Sequence, residues 1–63
     1  MNDNYTRLYT LCPFLTRLDP NDAPFALAIE RMIKAYGMNG GNILSQESPI
    51  STAIAYLESL NNG

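Results

Sequence analysis

The 63-residue chain contains no histidine, no tryptophan and a single cysteine, Cys12. Each absence removes a class of chemistry. Histidine is the side chain whose charge changes near neutral pH, so acid–base work would fall to carboxylates alone. One cysteine cannot close a disulfide within the chain. Without histidine or a second cysteine, the usual zinc ligand sets cannot be assembled. Cys12 therefore reads as a small buried hydrophobe in a reducing compartment. No cofactor and no metal are expected.

Long apolar runs are missing as well. Nothing approaches the roughly 18 residues of a membrane span. The opening stretch MNDNYTRLYT has no apolar segment behind a basic start, as a secretory leader would. The expectation is a cytoplasmic protein with no membrane association. Positive charge is scarce, with four Lys/Arg against six Asp/Glu and a net charge of −2. Nucleic-acid binders usually display a clustered basic face, and Arg7 and Arg17 lie far along the chain from Arg31 and Lys34. Direct nucleic-acid binding is not expected.

The carboxylates offer little in place of histidine. Asp19 and Asp22 fall in a turn, where Asp bonds back to nearby backbone. Glu30 and Lys34 stand four apart, as a surface helix pair does. Asn39-Gly40-Gly41-Asn42 lacks the lysine and the glycine spacing of a phosphate loop. The chain is not expected to be an enzyme.

What is present is a globular composition, 46% hydrophobic, over one domain spanning 1–63. Apolar burial in a 7.0 kDa chain contributes about 90 kcal/mol. Ordering it costs about 95 kcal/mol. A lone chain has no margin on this reckoning, and a second surface would supply one.

The spacing predicts an all-α fold, a small three-helix bundle. The clearest helix is 23–36, with Asp22 as N-cap, Pro24 in its first turn and Gly37 as the left-handed stop. Phe25, Ile29, Met32, Ile33 and Tyr36 share one side at 100° per residue. That arc covers about half the wheel, wider than an ordinary surface stripe, so this helix is expected to be the hub. The first helix is read over 4–18, kinked at Pro13, with Asn2, Asp3 or Asn4 as its cap. The alternative is a helix ending near Leu11 and a short turn restarting at Pro13. Leu8, Leu11, Leu15 and Leu18 form a coiled-coil-like seam. The third helix, 49–60, starts at Ser48-Pro49 and buries Ile50, Ala53, Ile54, Leu57 and Leu60. Ile43 and Leu44, in the long second connection, are expected to fold back onto the core.

Two apolar residues fit no core face: Leu27, among Glu30, Arg31 and Lys34, and Phe14, at the end of the first helix's arc. Tyrosine is enriched at interface hot spots. Tyr5, Leu8, Tyr9, Leu11, Phe14, Leu15, Leu27 and Tyr36 are therefore the candidate partner-binding residues. The expected function is a small acidic helical module for protein–protein interaction, a regulator or inhibitor that forms a homodimer or docks on a larger protein. The alternative is a small nucleic-acid-associated transcriptional regulator. A helix-turn-helix, however, needs a three- to four-residue turn. The connection 37–47 is too long unless part of it is helical.

Overall fold

Pro13 ends the first helix. In the computed structural model, which describes residues 3–62, helix α1 runs Asp3–Leu11 and a separate 3-10 turn runs Pro13–Arg17. The continuous kinked helix over 4–18 is corrected to the second reading. Inside a helix, the Pro13 ring would crowd the carbonyl of Tyr9 and leave it without its donor. The residue before a proline is pushed out of the helical region, and Cys12 sits at φ −137°, ψ 81°. The break changes what each residue does. Leu15 returns to the core with 1% exposure, while Phe14 turns outward. The cap considered at Asn2 lies outside the described residues.

Helix α2 runs Ala23–Met38. Asp22 occupies the N-cap position with extended backbone, φ −102° and ψ 156°, but its side chain makes no capping bond. Its carbonyl accepts from the N–H of Phe25 at 3.2 Å. The helix does not stop at Gly37. It continues one residue further and closes at Gly40, the residue with positive φ, +88°. The Gly41 N–H donates to the Tyr36 carbonyl at 2.8 Å and the Gly40 N–H to the Gly37 carbonyl at 3.1 Å. These are the two bonds of a Schellman closure, which satisfies the helix's last carbonyls. Gly37 lies inside the helix, where a Cβ would stand 2.9 Å from Ile43 Cδ1, the far end of a flexible side chain.

The following segment forms a second 3-10 turn, Ile43–Ser45, and helix α3 follows as Pro49–Asn62. The start of α3 is tightly capped. The Ser51 N–H donates to Ser48 Oγ at 3.1 Å, and the Ser48 N–H donates to Ser51 Oγ at 2.9 Å. This is a reciprocal capping box with serine in place of Glu or Gln at the third helical position. Ser48→Ala is expected to cost about 1 kcal/mol. A thermal melt unchanged from wild type would show that the cap contributes nothing.

All three predicted helices are present, with no strand among the described residues. The hub is not α2. Helix α3 packs against both α1 and α2, which touch each other less. Three consecutive α3 residues, Thr52, Ala53 and Ile54, are buried, as befits a helix covered on two sides. Thr52 lies outside the apolar stripe Ile50, Ala53, Ile54, Leu57 and Leu60 that the spacing predicts, yet it is buried. Its hydroxyl donates to the Ser48 carbonyl at 3.0 Å, which removes most of the cost of burying it. The core closes around Leu8, Leu15, Phe25, Ile29, Ala53 and Ile54. The Tyr5 ring stacks on Phe25 with centroids 6.4 Å apart, joining α1 to α2. Leu60, expected in the α3 stripe, is 56% exposed. No helix among the described residues is long and apolar enough to cross a membrane.

Candidate protein-interaction surface

The eight sequence candidates separate by burial. Leu8 and Leu15 are closed inside the chain at 0% and 1% exposure and present no surface to a partner. The seam they belong to packs internally. Tyr5, Tyr9 and Leu11 are half-buried against the same core, with the two tyrosine rings 6.2 Å apart. Tyr36 is half-buried, and its ring lies where a Cβ on Gly41 would stand. Phe14 and Leu27 remain, 59% and 48% exposed. They sit on different elements. Phe14 lines a shallow hollow of about 410 Å³ with Pro13, Thr16 and Arg17, all from its own turn.

The most exposed large apolar residues are not among these eight. Leu44 is 95% exposed and Met38 87%. Leu44 was expected to cap the core and does not. Its neighbour Ile43 lies against Gly37 of α2 but stays 40% exposed, so neither residue caps the core. The cause is local. Asn42 Oδ1 accepts the Leu44 N–H at 3.1 Å, which fixes a turn that sends residue 44 outward. The Ser45 hydroxyl donates to the Asn42 carbonyl at 2.8 Å, and the Gln46 N–H donates to the Ile43 carbonyl at 3.1 Å. Leu44 is thus held out on hydrogen-bonded backbone. Holding an anchor in place lowers the ordering cost of a contact. The sequence does carry a signal for this: residues 38–46 contain no charged side chain, and an Asn two places before an apolar residue favours such a turn.

An open groove of about 460 Å³ lies between α2 and α3. Phe25, Ala26, Ile29 and Ile33 line one wall, Pro49 and Ile50 the other, and Glu30 is its charged lining residue. Glu30 also pairs with Lys34 at 3.4 Å, both well exposed. The wide apolar arc of α2 is explained here. Its middle is buried under α3 and one margin faces this groove. The other margin faces a second groove of about 430 Å³, lined by Ala28, Arg31, Met32, Ala35 and Tyr56.

One polar contact spans the whole chain. Arg7 donates through Nη2 to Glu58 Oε2 at 2.8 Å and through Nε at 3.3 Å. It ties α1 to α3. With both side chains about half exposed, its contribution is at most about 1 kcal/mol. No protein family, curated protein or solved structure matches the chain.

Proposed function

We propose that the chain is a small helical protein–protein interaction module, a cytoplasmic regulator or inhibitor that works by docking on a larger protein, by self-association, or by both. The observation that carries this reading is the outward presentation of Leu44, 95% exposed, on a hydrogen-bonded turn. A single exposed leucine needs no explanation. A leucine on a hydrogen-bonded turn, with Met38 exposed nearby in sequence, makes an apolar contact surface. Phe14 and Leu27 are exposed on other elements, and Tyr5, Tyr9, Leu11 and Tyr36 are half-buried.

Affinity capture from the native host tests the docking arm, with the wild-type chain and a Met38→Asp/Leu44→Asp variant as parallel baits. A protein held by wild type, lost with the variant and bound again when both partners are purified would support the reading. Identical capture by the two baits would sink it. A mobility shift with short duplex DNA at low salt, where phosphate-driven binding is strongest, would favour the nucleic-acid reading instead.

A further inference from the structure

We infer that Asn39 is a site of spontaneous deamidation, and that the closure at the end of α2 gates the reaction, which proceeds only when that end opens.

The reaction needs an asparagine amide and the backbone nitrogen of the next residue. Glycine favours it there, because it has no Cβ to crowd the approach and reaches conformations closed to other residues. Asn39-Gly40 is such a pair, and both residues are exposed. The Gly40 nitrogen, after losing its proton to solvent hydroxide, attacks Asn39 Cγ. The N–Cγ bond forms, the Cγ–Nδ2 bond breaks, and ammonia leaves with a proton from water. Water then opens the cyclic imide, and nothing is oxidised or reduced. Opening at Cγ leaves aspartate. Opening at the main-chain carbonyl leaves isoaspartate, whose backbone runs through the side chain and is one methylene longer.

The closed helix end does not have the reacting geometry. Asn39 sits at φ −91°, ψ 13°. At that ψ the Gly40 nitrogen nearly eclipses Asn39's own nitrogen, whereas ring closure needs it in line with Cβ. The Gly40 N–H is also engaged, donating to the Gly37 carbonyl at 3.1 Å. Its neighbours are anchored too. The Asn39 N–H donates to the Ala35 carbonyl at 3.0 Å and the Gly41 N–H to the Tyr36 carbonyl at 2.8 Å. Turning Asn39 to the reacting ψ therefore breaks the closure. Helix ends open locally at far less cost than the whole fold, so the reaction is slowed and not prevented. Its product alters the same segment. Residues 38–46 carry no charge, and deamidation places a carboxylate beside Met38. The longer backbone of isoaspartate also takes Gly40 and Gly41 out of register with the carbonyls they bond.

Mass spectrometry on the full chain tests this. The chain is aged at mildly alkaline pH and then cut after Glu47, which separates Asn39 from the second Asn-Gly pair, Asn62-Gly63. Folded wild type is expected to convert at Asn39 about tenfold more slowly than the same chain in urea, as a local opening would impose. Gly41→Pro keeps the reacting pair but removes the N–H bonded to Tyr36, and is expected to bring the rate toward the urea value with the helical spectrum retained. Gly41→Ala, whose Cβ would stand 2.5 Å from the Tyr36 ring, is expected to accelerate it less. Equal rates in buffer and in urea, or both variants converting at the wild-type rate, would show that the closure gates nothing. A folded chain left intact while the urea sample is fully converted overturns the local opening. A chain unmodified at Asn39 even in urea overturns the site itself.

Discussion

Ile29→Asp is expected to abolish the cooperative melt and most of the helical signal at 25 °C. Ile29 is 5% exposed and belongs to the core with Phe25, Ala53 and Ile54. Removing the branched side chain forfeits about 2–5 kcal/mol by comparison with large-to-small core changes. The new carboxylate adds a desolvation cost, since no cation stands in the core to pair with it. A 63-residue domain has a total stability of about 3–9 kcal/mol, so the substitution exceeds or consumes it. The neighbouring Glu30→Ala sets the contrast. Glu30 is well exposed and loses only its pair with Lys34, worth a few tenths of a kcal/mol. A circular dichroism melt in which Ile29→Asp matches wild type would show that α2 does not face the core as described.

The class of fold was legible because its signals are local. Ser48-Pro49, Asp22 with Pro24 and the helical spacing of Phe25, Ile29 and Ile33 each mark an element without reference to the rest of the chain. The bounds were legible only where one residue type had one use. Glycine has several. Gly37 and Gly40 both suit a helix end, and the helix closes at Gly40, which takes the positive φ. Pro13 admitted both a kink and a break. The break prevailed because a 3-10 restart keeps Leu15 in the core without forcing a ring against the Tyr9 carbonyl.

The arrangement of the helices was less legible than their existence. Polarity alone put Thr52 on the outside, and with it the view that α3 has one buried stripe. Its bond to the Ser48 carbonyl depends on the capped first turn. Once Thr52 is buried beside Ala53 and Ile54, α3 becomes the helix with neighbours on two sides. The Arg7–Glu58 pair, 51 positions apart, likewise follows from α1 lying on α3 and from nothing nearer in sequence. The candidate surface shows the reverse failure. Leu44 was assigned inward because it is apolar, although the asparagine that turns it outward stands two residues before it. Burial, in turn, decided the Leu8–Leu15 seam: a leucine stripe is compatible with an internal or an external neighbour, and here α1 buries Leu8 and the Pro13–Arg17 turn buries Leu15 in the chain's own core.

That assignment gives the second large effect. Leu8→Ala is expected to destabilise the chain by about 2–5 kcal/mol, and the loss should fall first on α1. The helix has nine residues, too few to persist alone in water, where about 12–15 are marginal. Leu8 is its one fully buried side chain, while Tyr5, Tyr9 and Leu11 pack only partly against the core. The Arg7–Glu58 pair cannot substitute for it, because an exposed pair contributes at most about 1 kcal/mol. Arg7→Ala should accordingly shift the melt only slightly. Leu8→Ala should leave the α1 amides open to hydrogen exchange while those of α2 and α3 stay more protected. Exchange measured by NMR decides between the two contributions. A variant in which Leu8→Ala keeps α1 protected and Arg7→Ala exposes it would mean that the surface pair, not the buried leucine, holds the first helix in place.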